Sequence, residues 1–489
     1  MPLLSGALWV LCFPKTDWVG LSWFALAPLL WFLYGCKSPG RAAAWAFAAG
    51  FIFYAGLLAW IFATCRTAGV AWPIAVLATA GLALAMAPQW AIFAAGFALF
   101  ERTFGFTPPL IAGAWWVATE WVWARWVTRF PWGLAGYTRW RSPWVLPAAA
   151  AMGVWGLSLL VVQVNAAWAA LAAGKGRSFH VWGAAPLVLA GFFALSRGLS
   201  SRPVPAGDAR ISVLQGNVDQ YKKWDAQFVE GILSDYAQLA RKAGSPALVI
   251  WPESALPGWL EDAKLGAWLA GVVRRSGTFH LVGAVSRVDG EPRNSAVLLG
   301  PDSRQAGLYH KRQLVPFGER VPLQKLLGRW IPVLGELGGM TPGAAEQEPM
   351  TTFWGTLSPS ICYEAVFPDL MRQTTLKGVR LLVNLTNDGW YLDTAGPYQH
   401  FAMSVVRAAE NRAYLIRAAN TGISALVDPY GRVQTRTQVG ERTVMDASFS
   451  LDFARGAPSL YARMGDVLPA LCLACCVLLL FLGALEKKA

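Results

Sequence analysis

Ser360-Ile361-Cys362-Tyr363-Glu364 closes an apolar run over 352–361 and ends in a carboxylate. Cys362 is the only cysteine between the two strongly apolar ends of the chain. A thiol attacks a carbonyl only as thiolate, so a nucleophilic cysteine needs a nearby base and a cation to hold the developing oxyanion. Upstream, Ile250-Trp251-Pro252-Glu253-Ser254 puts a carboxylate just after another strand-like run, and Tyr309-His310-Lys311-Arg312 offers an ammonium. Each piece alone has a plainer reading. A single cysteine after a strand is most often a small buried apolar residue, and one Glu or one Lys is most often a solvated surface group.

The order of the pieces adds to this. Trp251-Pro252-Glu253-Ser254, then Lys311 with Leu314-Val315-Pro316-Phe317-Gly318-Glu319, then Ile361-Cys362-Tyr363-Glu364 resemble the Glu-Lys-Cys blocks of the nitrilase, or carbon-nitrogen hydrolase, superfamily. Val213-Leu214-Gln215-Gly216-Asn217, the stretch 384–389, Glu410-Asn411-Arg412 and Asn420-Thr421-Gly422 extend the likeness over nearly all of 208–450. The resemblance implies an α-β-β-α sandwich.

Composition points beyond such a domain. The chain has 489 residues, 55% of them hydrophobic, and a mean hydropathy of +0.38, too apolar for an ordinary soluble enzyme. The net charge of +13 calls for an anionic partner. Its basic residues flank apolar segments, which favours anionic lipid over nucleic acid. Cys12, Cys36, Cys65, Cys472, Cys475 and Cys476 lie in or beside apolar runs and read as membrane packing, not as a disulfide framework. His180, His280, His310 and His400 form no ligand pair, so neither a metal nor a cofactor is expected.

Runs of about twenty apolar residues, the length a helix needs to cross hydrocarbon, are expected at 18–34, 42–63, 70–100, 109–126, 145–173, 179–195 and 467–485. A shorter run at 3–13, closed by Pro14 and Lys15, brings the total to about eight, with both termini on one side. It has no charged leader or small-residue cleavage site, so a cleaved signal peptide is disfavoured. Lys37, Arg41, Arg102, Lys175, Arg177, Lys487 and Lys488 alternate onto one face, which the positive-inside rule places in the cytoplasm. The expected organisation is a bundle over 1–199, an external catalytic domain over 200–464, and a final span with a cytoplasmic tail over 465–489.

One loop departs from the rule. Arg125, Arg129, Arg139 and Arg141 interleave with Trp126, Trp132, Trp140 and Trp144 on the outer face. An interfacial aromatic belt and a phosphate-holding rim for a lipid substrate fit equally well. Glu120, costly in lipid, is expected to face protein or water.

Within the domain, strands are expected at 210–215, 247–251, 280–285, 295–300, 352–361, 380–385 and 423–427, and helices at 227–242, 263–276 and 397–412. Repeated strand and helix imply α/β layering, with Glu253 and Cys362 where strands end in loops.

A nitrilase-like domain between an N-terminal bundle and one C-terminal span resembles the apolipoprotein N-acyltransferase family over the whole chain. Lys223-Trp224-Asp225, Asn387-Asp388-Gly389-Trp390 and Gly396-Pro397-Tyr398-Gln399-His400-Phe401 carry this part of the likeness. The resemblance implies Glu253 as general base, Cys362 as nucleophile and Lys311 as oxyanion holder. It implies supporting roles for Glu319, Tyr363 and Glu364. Trp224, Asn294 and Trp390 are weaker candidates for shaping the acyl and headgroup pocket, as is Tyr363, and simple packing explains each equally well. The implied cycle takes the sn-1 chain of a phospholipid, phosphatidylethanolamine by resemblance, onto Cys362 as a thioester. It then passes the chain to the α-amine of a diacylglyceryl-cysteine apolipoprotein. The implied location is the bacterial inner membrane, with a monomeric enzyme. Two other classes stay open: a membrane-anchored amidase acting on a small soluble substrate, and a transporter or scaffold. The second is disfavoured because intramembrane charges are scarce. Leu323, Leu326, Leu327, Trp330, Ile331 and Leu334 repeat at helical spacing, and 323–343 is expected to act as a mobile lid.

Overall fold

Long apolar stretches satisfy their backbone hydrogen bonds within one helix, whereas the strand-like stretches need a neighbour, and the two kinds sort into two units. The computed structural model describes residues 1–175, 185–201, 203–205, 207–220, 222–244, 246–320, 339–451 and 457–487. Met1–Arg202, Thr394–Glu410 and Ser459–Ala489 form a helical unit, and Pro203–Asp393 with Asn411–Pro458 form an α/β unit. The proposed lid at 323–343 lies outside the described residues except for its last five, and so do residues 179–184 of one expected span.

Among the described residues of the helical unit, three helices are long and apolar enough to cross a membrane: Trp72–Phe104 (33 residues), Leu146–Ala172 (27) and Val467–Glu486 (20). Pro39–Leu57 and Trp60–Thr67, bent by 46°, make a fourth if counted as one span. About eight were expected, and the others are shorter. Pro2–Leu11 stops ahead of Pro14, Pro109–Val122 gives way to a π-helical turn over Trp123–Val127, and Ala185–Leu199 has 15 residues. The helix Ala149–Ala172 is broken at Gly153, where φ is +65°. A Cβ there would lie 2.5 Å from the Tyr461 ring. The N–H of Val154, next to this break, donates to Glu410 Oε1 at 2.7 Å. Glu410 belongs to the helix Gly396–Asn411. Gln399 on the same helix accepts from Trp132 Nε1 at 2.7 Å and donates to the carbonyls of Pro14 and Leu57.

The basic aromatic loop divides. Arg139, Trp132 and Trp140 are buried, and the Arg139 guanidinium lies 4.3 Å over the Trp23 ring and donates to Ser22 and the Val19 carbonyl. Trp126 and Trp144 are exposed, with Arg125 stacked at 5.6 Å on Trp126. A burial this complete removes Arg139 from any lipid-facing rim. Glu120 faces protein, as expected: it accepts from Trp116 Nε1 at 3.1 Å and from Ala135 N at 2.7 Å.

The described residues of the α/β unit form twelve strands. In chain order they are β1 (Ala209–Gln215), β2 (Leu248–Ile250), β3 (Phe279–Val288), β4 (Glu291–Leu299), β5 (Gln305–His310) and β6 (Met350–Thr352). Then come β7 (Gly355–Ile361), β8 (Leu381–Thr386), β9 (Tyr414–Ala419), β10 (Ala425–Val427), β11 (Val433–Arg436) and β12 (Thr443–Phe449). They build two six-stranded sheets, ordered β12-β1-β2-β3-β4-β5 and β11-β10-β9-β8-β7-β6. The parallel cores are β1-β2-β3 and β7-β8-β9, and antiparallel strands flank each core. Helices Val229–Lys242 and Ala263–Ser276 cover the first sheet through Ile232, Tyr236, Leu239, Leu265, Leu269 and Val273. Asp262 caps the second of these helices by accepting from Lys264 N and Leu265 N, worth about 1 kcal/mol.

The expected strand over 352–361 is two strands. The chain reverses through Phe353-Trp354-Gly355, where Gly355 has φ +146°, and β6 pairs back onto β7. The helix Pro368–Leu376 and the strands β5, β9, β11 and β12 were not expected.

Candidate active site

The carboxylate of Glu253 sits on the turn that follows β2. That turn is pressed onto β3 at Gly283, where a Cβ would lie 2.1 Å from the Pro252 carbonyl oxygen and 2.7 Å from the Glu253 Cα. Ala255 N donates to the Gly283 carbonyl at 2.7 Å and Trp251 N to the Leu281 carbonyl at 2.9 Å, which fixes the turn on both sides. Only glycine permits this approach.

Lys311 follows β5, and its backbone N–H donates to the Asn294 carbonyl on β4 at 2.8 Å. Its ammonium reaches Glu253 Oε1 at 3.2 Å and Glu319 Oε1 at 2.8 Å, with all three side chains largely withdrawn from water. Asn294 Nδ2 bridges the same two carboxylates, at 2.7 Å to Glu253 and 3.0 Å to Glu319. The second oxygen of Glu253 accepts from Asn387 N, just beyond β8, at 2.8 Å. Burial works against the Lys311 charge, but Glu253 and Glu319 overcome it and hold the ammonium protonated well above its usual range. Burial likewise opposes ionisation of Glu319, and Lys311 outweighs it, so this carboxyl titrates below its ordinary range.

Cys362 opens a short 3-10 turn, Cys362–Val366, directly after β7. Its φ is +50°, a left-handed conformation that a residue with a Cβ adopts at a cost of about 1–3 kcal/mol. Asn384 on β8 holds the turn by donating to the Cys362 carbonyl at 3.2 Å and to Ser360 Oγ at 3.1 Å. Asn384 is itself held by Arg417, which is paired with Asp388 at 2.7 Å inside the unit. Cys362 as a residue is 6% exposed. Burial pushes the thiol well above its ordinary range. Glu253 adds to the rise, whereas Lys311 and a Thr386 hydrogen bond oppose it. In the resting site the residue is therefore a thiol, and its proton must be removed during the reaction.

Glu364, fully buried, links this turn to Lys311. It accepts from Ile361 N and Tyr309 Oη through one oxygen and from Arg312 N and Gln313 N through the other. Burial raises its carboxyl despite those four donors. Tyr363 is buried, its ring edge-on to Phe367 at 4.9 Å. Trp224 is 50% exposed and Trp390 40%, so neither is a core side chain. Asn294, a candidate for shaping the substrate pocket, donates to both acids.

Asn387 and Gly283 carry no chemistry that marks them in the sequence, although Asn387 lies in the Asn387-Asp388-Gly389-Trp390 motif. Lys223 is a third. It is 1% exposed on the loop after β1, and burial pulls its ammonium down to about 8 while the Glu253 carboxylate opposes the fall. Gln220 on the same loop accepts from Asn387 Nδ2. A carboxylate, an ammonium and a thiol brought to the ends of β2, β5 and β7 are the parts that acyl transfer through a covalent intermediate requires.

Residues 210–458 match the carbon-nitrogen hydrolase family, and residues 5–167 match the apolipoprotein N-acyltransferase N-terminal domain. The apolipoprotein N-acyltransferase of Geobacter metallireducens is 35% identical over 97% of this chain and 93% of its own. That of Gloeobacter violaceus is 32% identical over 94% of this chain and 89% of its own. A solved carbon-nitrogen hydrolase from Helicobacter pylori aligns with 53% of this chain and 94% of its own at 18% identity and a TM-score of 0.40. The chain is an acyltransferase and belongs to the apolipoprotein N-acyltransferase family.

Proposed function

We propose that this protein N-acylates apolipoproteins, taking the sn-1 chain of a glycerophospholipid, phosphatidylethanolamine, and passing it through a thioester on Cys362 to the α-amine of a diacylglyceryl-cysteine. The observation that carries this reading is the Glu253 carboxylate, held by Lys311 Nζ, Asn294 Nδ2 and Asn387 N, with the turn of Cys362 tied to the Lys311 segment by Glu364.

In the first half-reaction Glu253 takes the thiol proton and the sulfur attacks the ester carbonyl. Lys311 and a backbone N–H after the nucleophile hold the oxyanion. The C–O bond breaks, and the departing sn-1 oxygen takes the proton from Glu253 to give lysophospholipid. In the second, the neutral acceptor amine attacks the thioester and loses a proton to Glu253. The C–S bond breaks and the same proton returns to the sulfur. The cycle is ping-pong.

The setting of this reading is a bundle of about eight spans in the bacterial inner membrane. The domain over 200–464 faces the periplasm, both termini lie in the cytoplasm, and the enzyme is a monomer. Shorter helices such as Pro109–Val122 then cross with help from bilayer thinning and neighbouring turns.

The test is incubation of purified protein with phospholipid alone. A thioester on Cys362, absent in Cys362→Ala and discharged by a diacylated lipopeptide amine, is expected. Turnover of small amides with no acyl group trapped would replace this reading with that of an amidase.

A further inference from the structure

A cleft of about 370 Å³ opens in the helical unit, where helix Ala27–Gly35 ends, helix Pro39–Leu57 begins and helix Ala149–Ala172 has just ended. That volume falls within the range of small-ligand sites, about 300–1,000 Å³. Its walls are of two kinds. Trp31 and Phe32 supply aromatic surface, Trp31 being 45% exposed, while Arg41 and Lys175 supply the charge.

Those two cations are not equivalent. Lys175 is already neutralised: it pairs with the buried carboxylate of Glu101, donates to the Gly105 carbonyl at 3.3 Å, and lies 5.2 Å over the Tyr34 ring. Glu101 is in turn fixed by Thr107 N. Arg41 has an exposed guanidinium with no carboxylate paired to it among the described residues, and only its backbone N–H is engaged, by Ser38 Oγ. Among the described residues the cleft thus carries one uncompensated positive charge beside exposed aromatic surface. The surroundings add to it, since Lys487 Nζ donates to the Arg102 carbonyl beside Glu101, gathering further cations at this end of the unit.

One net positive charge beside an apolar wall selects a singly charged anionic amphiphile. A zwitterionic head would bring its own ammonium towards Arg41 and Lys175, and a free phosphate would leave the aromatic wall unused. We propose that this cleft binds the phosphodiester head of an anionic glycerophospholipid, with Arg41 taking the phosphate in bidentate fashion and the acyl chains lying along Trp31. No described residue of the α/β unit lines it, and the net anionic head it selects differs from the zwitterionic head of a phosphatidylethanolamine donor, so it is a separate site from the proposed catalytic one.

The full-length protein in detergent is examined by native mass spectrometry with phosphatidylglycerol or phosphatidylcholine of matched chains. One tightly retained phosphatidylglycerol is expected, with retention about ten-fold weaker for phosphatidylcholine and for Arg41→Gln. Lys37→Gln, an exposed cation outside the cleft, is expected to leave retention unchanged, and thermal melting of both variants checks their folding. Glycerol phosphate at millimolar concentration is expected not to displace the lipid. Equal retention of the two lipids, or Arg41→Gln retaining phosphatidylglycerol like the parent, would overturn the proposal in favour of annular lipid only. Displacement by glycerol phosphate would overturn it in favour of a soluble phosphate ester.

Discussion

The carboxylate of Glu364 accepts the backbone N–H of Arg312, so the residue after Lys311 is hydrogen-bonded to a side chain two positions past Cys362. The same carboxylate takes Ile361 N and Tyr309 Oη. One buried anion therefore sets the spacing between the proposed oxyanion holder and the proposed nucleophile. Glu364→Gln puts an amide N–H₂ where only acceptors are wanted, leaving at least one buried donor facing another. The expected result is a loss of about 10²-fold in the acylation rate, in line with a misplacement of order 1 Å, together with a fall in stability of about 1–3 kcal/mol. Rapid-quench measurement of the acyl-enzyme and a denaturant melt read the two effects. A variant that melts lower yet acylates at the parent rate would show that Glu364 only packs.

Gly283 makes the complementary case for Glu253. Its missing Cβ would meet the Pro252 carbonyl oxygen at 2.1 Å, and backbone cannot yield as the end of a flexible side chain can. Gly283→Ala should push the Pro252-Glu253 turn off β3, lengthening the contacts to Lys311 and Asn387. We expect at least about a 10-fold loss of acylation, with β3 itself retained because a strand tolerates alanine. Parent-like kinetics in Gly283→Ala would mean that the turn does not depend on this approach.

These two positions also mark where the sequence stopped being informative. Glu253, Lys311 and Cys362 stood out in the sequence through the order of the three blocks that resemble the nitrilase superfamily, not through spacing alone, and the apolar runs before Glu253 and Cys362 are β2 and β7. Gly283 acts through the Cβ it lacks, which marks no chemistry by itself, and Asn387 reaches Glu253 through a backbone N–H that every residue but proline owns, so neither type pointed to the site. β9 escaped because it is buried on both faces and so lacks the alternation that betrays a half-buried strand. The helix Pro397 onward was legible from its period, yet its place in the helical unit, with contacts such as Gln399 to Trp132, is encoded by no local pattern. Span lengths were hard to read for a related reason: Pro109–Val122 has only 14 residues of regular helix, and composition alone cannot show where the following turn changes pitch.

The electrostatics around Cys362 give a prediction of unusual sign. After burial, Glu253 is the next influence raising the thiol, and Lys311 opposes it. Glu253→Gln removes that negative charge and releases Lys311 from one partner, so the thiolate becomes more accessible even as the proposed base is lost. Iodoacetamide should then modify Cys362 roughly three-fold to ten-fold faster in Glu253→Gln than in the parent at pH 8, while acylation from phospholipid disappears. Slower alkylation in the variant would show that Glu253 activates the sulfur towards any electrophile, and the field argument would be abandoned. Mass mapping of the modified cysteine separates Cys362 from the exposed Cys475.

Lys223 allows a test on stability. Its ammonium is pulled from an ordinary value near 10.5 down to about 8 by burial, the Glu253 carboxylate opposing the fall. A cation whose folded pKa is depressed binds fewer protons folded than unfolded between those two values, so folding is penalised below about pH 8 and the penalty is relieved as pH rises towards 10.5. At 1.36 kcal/mol per unit, the cost at pH 7 is on the order of 3 kcal/mol. Lys223→Met keeps the length of the apolar stem and removes the charge. It should therefore melt higher than the parent at pH 7, with the difference shrinking steadily by pH 10. If Lys223→Met is instead less stable at pH 7, or its advantage does not fall with pH, the ammonium must be held by a partner that offsets its burial, and the loop after β1 would be anchored through it.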